Sequence, residues 1–262
     1  MTKMKHTLAL HISIAFSLLV ICVKTQAQNN QNPPKPKPEK ELIKKTNDTV
    51  IKTSDSTAVK LKYGLRAGID LSKILRSYLD DDYKGFEILA DYRLKPNFYI
   101  AGELGFEDKT TISDYLDVTS KGSYLKAGID LNVYQNWLDM DNLVYFGFRV
   151  GASTFNQTIN NFTIYTTDQY WTPQLTSTDA TEYSGLTAFW GEIMLGFKVE
   201  LLTNLYLGAN VQLKFLASES SIDNFEVLYI PGYGKTYDSG LIGAGYSYFL
   251  SYRIPLFKKA KS

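Results

Sequence analysis

Leu205-Tyr206-Leu207-Gly208-Ala209-Asn210-Val211-Gln212-Leu213-Lys214-Phe215 alternates throughout its length. Leu205, Leu207, Ala209, Val211, Leu213 and Phe215 fall on one face of an extended chain, and Asn210, Gln212 and Lys214 fall on the other. Successive side chains of a strand point to opposite faces, so this period of two predicts a strand with one oily and one polar surface. Its length exceeds the usual five or six residues of a globular strand.

The same pattern recurs in both directions from this run. Upstream, Phe189, Ile193, Leu195, Phe197 and Val199 oppose Glu192, Lys198 and Glu200, with Leu202-Thr203-Asn204 as the connection. Downstream, Ile242, Ala244, Tyr246, Tyr248, Leu250, Tyr252 and Ile254 oppose Ser247, Ser251 and Arg253. Nearer the N-terminus, Tyr63, Leu65, Ala67, Ile69 and Leu71 oppose Gly64, Arg66, Gly68 and Asp70. Phe86, Ile88, Ala90, Tyr92 and Leu94 oppose Glu87, Asp91 and Arg93, and Phe98, Ile100, Leu104 and Phe106 oppose Glu103 and Glu107. Runs over residues 124–134 and 143–153 complete the set, the latter placing Val144, Phe146, Phe148 and Val150 against Arg149. Leu65-Arg66-Ala67-Gly68-Ile69-Asp70-Leu71-Ser72 is echoed by Leu125-Lys126-Ala127-Gly128-Ile129-Asp130-Leu131-Asn132, charge signs included. A single echo does not make a solenoid, which needs several repeats at a fixed period. It marks two strands that meet the same environment. About eight strands emerge.

The connections separate a soluble sandwich from a membrane barrel. Residues 95–97, 136–142 and 202–204 are short links, whereas 108–122, 156–185 and 217–239 read as long loops. Short turns at one end and long loops at the other are the pattern of outer-membrane barrels, with the short turns periplasmic. The expectation is therefore an all-β, antiparallel up-and-down transmembrane β-barrel over residues 61–257, with both ends periplasmic and outer-membrane lipid as its solvent. Closure follows from the cost of leaving backbone groups unpaired in lipid.

The charged faces must then point into the lumen. Arg66, Arg93, Lys126, Arg149, Lys198, Lys214 and Arg253 supply the bases, and Asp70, Glu87, Asp91, Glu103, Glu107, Asp130, Glu192 and Glu200 the acids. Their near balance predicts mutual pairing, and an eight-stranded barrel is just wide enough for its own side chains to fill it. A filled, ion-paired interior is favoured over a small channel or transporter. No carboxylate pair stands apart from a base, as a catalytic acid and base would require. Asp80-Asp81-Asp82 lacks the spaced oxygens and glycine of a calcium loop and reads as a solvated turn. The long loops hold Tyr165, Tyr170, Trp171, Tyr229, Tyr233 and Tyr237, aromatics that can anchor a partner or pack the loops.

The N-terminal region reads differently. Lys3 and Lys5, the apolar stretch of residues 8–23 and Thr25-Gln26-Ala27 make a signal peptide over residues 1–27 with cleavage before Gln28. The apolar stretch is short of the roughly 20 residues of a spanning helix. Ile21, not a small residue, precedes Cys22, which disfavours a lipid-modified cysteine. Residues 28–60 open on Pro33-Pro34-Lys35-Pro36-Lys37-Pro38 and form a disordered, extended periplasmic linker suited to tethering a periplasmic or cell-wall partner. Asp48-Thr49-Val50 and Asp55-Ser56-Thr57 match a short O-glycosylation pattern of periplasmic proteins. Residues 258–262 form a basic tail.

His6, His11 and Cys22 are the only histidines and the only cysteine of the 262-residue chain. Cleavage removes all three. The mature chain then has no imidazole for a triad or a metal, and no thiol for a disulfide, a nucleophile or zinc. Neither an enzyme nor a cofactor is expected. The formal net charge of +1 hides an asymmetry, because residues 62–257 carry 15 basic and 23 acidic side chains, about −8. A nucleic-acid binder keeps its positive charge on the folded domain, so nucleic acid is excluded as a partner.

Tyr229-Ile230-Pro231-Gly232-Tyr233-Gly234-Lys235, the run from Trp190-Gly191-Glu192 to Lys198, Leu205-Tyr206-Leu207-Gly208 and Tyr252-Arg253-Ile254-Pro255-Leu256-Phe257 together resemble an uncharacterised family of outer-membrane barrels of Bacteroidetes-type bacteria, a domain of unknown function. The resemblance implies a barrel inserted by the barrel-assembly machinery, with no assigned activity and no functional residues to transfer. The expected role is that of a structural or interaction protein.

Overall fold

Strands that are oily on one side and charged on the other cannot bury both faces in water, and the chain resolves this by rolling the sheet shut. The computed structural model describes residues 60–134, 141–164, 175–177, 179–222, 225–236 and 241–260. Eight strands form the ring: β1 (Lys60–Asp70), β2 (Tyr83–Lys95), β3 (Phe98–Ile112), β4 (Leu116–Asn132), β5 (Leu143–Ile164), β6 (Thr181–Leu202), β7 (Leu205–Glu219) and β8 (Ile242–Ala260). Each pairs antiparallel with its sequence neighbour, and β1 closes the ring on β8 from Lys60↔Ala260 to Asp70↔Phe249. The result is a transmembrane β-barrel. Its outer wall exposes Leu104, Leu125, Phe146, Val150, Leu195 and Val211, a continuous apolar surface far beyond what a soluble monomer shows. Among the described residues no helix is long and apolar enough to cross a membrane.

Several boundaries differ from the sequence expectation. Residues 108–122 are not a long loop, because β3 and β4 continue and are joined only by Ser113, Asp114 and Tyr115. The β5 and β6 strands also lengthen, to 22 residues each. These extensions have little apolar alternation, which hides them from a period-two reading. In their outward positions Leu104 and Phe106 give way to Asp108 and Thr110, and Val150 and Ala152 to Thr154 and Asn156. There the apolar wall ends and a polar one begins. Thr110 pairs with Thr119, whose other neighbour is Thr158, while Asn160 donates to Asp117 and Thr119 at 3.0 Å. The β3–β6 side therefore stands taller than the rest, since β2 begins opposite Lys109 and β7 ends opposite Ala188. The final strand runs to Ala260, so residues 258–260 belong to the barrel and not to a separate tail.

One element was not expected. Directly after β1 the chain forms helix α1 (Leu71–Leu79), where the sequence reading continues the strand to Leu71. Asp70 caps it by accepting from the Ser72 N–H at 2.7 Å and the Ser72 hydroxyl at 2.6 Å. Ser72 is buried on the lumen side, whereas Ile74 and Tyr78 are exposed. The helix has the same inside-out polarity as the barrel.

The other feature of this end is the segment between β7 and β8. It leans on the inner face of the tall wall, where Gln157 donates to the Glu226 carbonyl at 2.8 Å and accepts from the Leu228 N–H at 3.2 Å. It then descends into the lumen as a tight turn over residues 229–235, with Gly232 and Gly234 at positive φ. Ile222, Val227, Ile230 and Tyr233 pack there against Tyr124, Phe155, Leu186 and Trp190. This small apolar core is enclosed by the barrel.

Candidate functional site

The lumen collects nearly all the buried charge of the described chain, because every second residue of each strand points inward. Arg66, Glu87, Asp91, Arg93, Glu103, Glu107, Lys126, Asp130, Arg149, Glu192, Lys198, Lys214 and Arg253 are all buried there, and Glu200 is half-buried at the turn end. Their pairing has an order. Arg66 meets Asp91 at 2.6 Å, Asp91 meets Lys198 at 2.7 Å, and Lys198 meets Asp130 at 3.3 Å. Asp130 meets Arg149 at 2.7 Å, and Arg149 meets Glu103 at 3.3 Å. Glu103 pairs with Lys126, Lys126 with Glu87 at 3.3 Å, Glu87 with Lys73 at 3.9 Å, and Lys73 with Glu107. Signs alternate at each step from the barrel's middle to its loop end.

A second cluster closes the turn end. Asp141 pairs with Arg93 at 2.6 Å and also with Arg253, which reaches Glu200 at 3.3 Å; Glu200 meets Lys62 at 3.4 Å. The space between charges is filled by tyrosines. The Arg66 guanidinium lies 4.9 Å from the Tyr99 ring and 5.2 Å from the Tyr206 ring, and Lys198 lies 4.7 Å from the Tyr145 ring. The hydroxyls join the network, with Tyr99 accepting from the Arg93 Nε at 2.6 Å and Tyr206 donating to Asp141 at 3.3 Å. A ring that fills space and carries a hydroxyl suits a polar core, and Tyr63, Tyr83, Tyr99, Tyr124, Tyr145, Tyr206, Tyr229 and Tyr233 are all buried.

Sequence reading missed three members of this network. Lys73 sits on the unexpected helix and Asp141 in a turn, while Lys62 lies beside the bulge at Tyr63 and Gly64 that turns Tyr63 inward. A signal for the first existed, since Leu71, Ile74, Leu75, Tyr78 and Leu79 have helical spacing after a capping aspartate. Asp70, by contrast, serves as that cap.

Glu107 is the hub of the loop end. One carboxylate oxygen accepts from Lys73 and from the Tyr83 hydroxyl at 2.9 Å, and the other accepts from the Tyr229 hydroxyl at 2.8 Å and the Gly232 N–H at 2.9 Å. It thus ties α1, β2 and the inserted turn to β3. Burial pulls the Lys73 ammonium down, but Glu107 and Glu87 outweigh it and hold it above the ordinary lysine value. Burial, then the charge of Glu107, pushes the Tyr229 hydroxyl well up. Opposite Glu107, Lys214 donates to the Gly232 carbonyl at 2.7 Å and the Tyr233 carbonyl at 3.1 Å, with Glu192 3.8 Å away. Tyr229 and Tyr233, candidates for loop contacts by sequence, are therefore turned into the barrel and buried. Tyr165, Tyr170, Trp171 and Tyr237 lie outside the described residues, as do residues 1–59 with His6, His11 and Cys22.

Voids remain in this interior. A cavity of about 330 Å³ lies at the loop end between α1 and the inserted turn. A second of about 20 Å³ sits among Asp91, Glu103, Arg149 and Lys198. The second holds about one water. No group of three or more His, Cys, Asp or Glu residues placed to hold a metal occurs among the described residues.

Residues 7–259 match the family described as a domain of unknown function, DUF6048. No curated protein matches the chain. Among solved structures, the attachment invasion locus protein Ail of Yersinia pestis is 10% identical with a TM-score of 0.37, over 74% of this chain and 98% of that one. CarO2 of Acinetobacter baumannii is also 10% identical, with a TM-score of 0.31, over 74% of this chain and 99% of that one. The chain belongs to the DUF6048 family.

Proposed function

We propose that this DUF6048 member is a closed outer-membrane barrel that acts as a structural or interaction protein, neither a channel nor an enzyme. The observation that carries the reading is the alternating chain of ion pairs through the lumen, whose middle leaves room for about one water. A conducting path needs groups that an ion can approach and leave, whereas each charge here already faces an opposite one within the wall. Residues 28–262 hold no histidine or cysteine, which supports the absence of hydrolytic, thiol or imidazole–metal chemistry.

In this reading the long-loop end faces outside, both termini face the periplasm, and insertion depends on the barrel-assembly machinery. Residues 28–59 tether the barrel to a periplasmic or cell-wall partner, since Lys60 already belongs to β1. Planar-bilayer recording on the purified barrel tests closure. Current indistinguishable from a bare bilayer is expected, and stepwise openings at moderate voltage would establish the channel instead. Deleting residues 28–59 should lower co-sedimentation with peptidoglycan or envelope partners; equal recovery with and without the segment would remove the tether.

A further inference from the structure

The larger cavity is used by none of the roles above. It lies at the loop end, walled by α1, β2, β7, β8 and the inserted turn. With an average share of about 30 Å³ per water, it has room for about ten, the scale of one sugar ring and not of an oligomer. It sits at the low end of ligand-pocket volumes.

The wall selects the chemistry of an occupant. Lys73 is matched by Glu107 and Glu87, Lys126 by Glu103 and Glu87, and Lys214 by two backbone carbonyls and Glu192. The charges are already paired, so a charged guest would bring an uncompensated charge into a partly desolvated space. An apolar guest would strip water from these polar groups and return nothing. A neutral molecule rich in hydroxyls is what remains, since it can donate and accept at once.

Two polar heads crowd one point of the wall. A Cβ at Gly245 would come within 2.9 Å of the Gln212 Oε1 and 3.2 Å of the Lys214 Nζ, so the glycine leaves room for both. Tyr246, next in β8, pairs with Val211 of the outer wall, so its ring points away from the cavity. Gly234, on the opposite lip, has open space where a side chain would begin. We propose that this vestibule binds a small uncharged polyhydroxylated molecule of single-sugar size, with Gln212 and Lys214 hydrogen bonding to its hydroxyls. The site deepens the interaction reading without depending on closure, so the bilayer test and this one can fail separately.

The test uses the full mature chain in a detergent without a sugar headgroup. Saturation-transfer NMR titrations take D-glucose, D-galactose, D-mannose and N-acetyl-D-glucosamine as neutral probes, with D-glucuronate and inorganic phosphate as charged ones. At least one neutral sugar should bind with a Kd of about 1 mM or tighter. Gln212→Leu should weaken it about tenfold while keeping the heat-modifiable migration of the folded barrel, and Tyr246→Ala, on the outer wall, should leave the affinity unchanged. Failure of all four sugars to bind would overturn the proposal. So would tighter binding of glucuronate or phosphate, or wild-type affinity in a folded Gln212→Leu.

Discussion

Replacing Glu107 by Gln keeps the side chain's shape and removes its charge, which isolates what the hub does. The four donors that converge on it are the Lys73 ammonium, the Tyr83 and Tyr229 hydroxyls and the Gly232 N–H. An amide has one oxygen to accept and one NH2 that faces donors with a donor. Whichever way it turns, the NH2 faces one group that can only donate, Lys73 or the Gly232 N–H, and one tyrosine hydroxyl that can turn to accept, so at least one hydrogen bond worth about 1 kcal/mol net is lost. Lys73 also loses its nearest carboxylate and keeps only Glu87 at 3.9 Å, a group already engaged with Lys126. Breaking one partner of a buried pair costs about 3–5 kcal/mol, and the lost bonds are part of that figure. With an m-value of about 2 kcal/mol/M, the urea midpoint of the barrel in vesicles should fall by about 2 M. The inserted turn should loosen first, so amide exchange at Ile230 and Gly232 should accelerate more than at β4. Lys73→Met combined with Glu107→Gln should recover part of the loss, because the uncompensated ammonium is then gone. A single variant within about 0.5 kcal/mol of wild type, the range of an ordinary surface change, would refute the reasoning. Strict additivity in the double variant would do the same.

Three further expectations concern other parts of the molecule. Leu104→Arg, on the apolar outer wall, should destabilise the membrane-inserted barrel by about 2–4 kcal/mol if it sits near the bilayer midplane, whereas Thr119→Arg on the tall polar wall should change it by less than about 0.5 kcal/mol; equal effects would misplace the membrane boundary. A Cβ at Gly151 would lie 2.2 Å from the Trp190 ring, so Gly151→Val should displace the indole from Glu192 and red-shift tryptophan emission, and an unchanged spectrum would contradict this packing. For Asp80, partial burial raises the carboxyl pKa, but the hydrogen bond and charge of Lys109, helped by the Asp82 N–H and Arg76, bring it below the ordinary value. A lowered folded pKa stabilises above the unfolded value of about 3.9 and ceases to do so as pH falls through the folded one. The stability gap between wild type and Asp80→Asn should therefore be present at pH 5 and shrink towards pH 2; a gap that grew on acidification would reverse the assignment.

The alternation of residues 205–215 and its counterparts fixed which side chains face lipid and which face inward, because a strand has only two faces and a period of two assigns them. It held best where one face is apolar, and failed where it is not. The polar extensions of β3–β6 were read as loops because Thr110, Thr119 and Thr158 give no contrast between faces. Helix α1 escapes the period-two reading because Leu71 continues the rhythm of Ile69 as strand, although the spacing from Leu71 to Leu79 also fits a helix. Sequence alone thus determined the strand faces, the inward charges and their near balance, all of which are local and periodic. Only the tertiary structure decided which charges meet, because Arg66 and Asp91 face each other through the register of β1 on β2, whereas Lys198 of β6 reaches Asp91 of β2 and Asp130 of β4 as the sheet closes on itself. It alone also decided that Tyr229 and Tyr233 turn inward, since nothing local distinguishes a loop that stands in solvent from one that folds back into the barrel. That choice rests on Glu107 and Lys214, contributed by strands distant in sequence and poised to hold both sides of one turn.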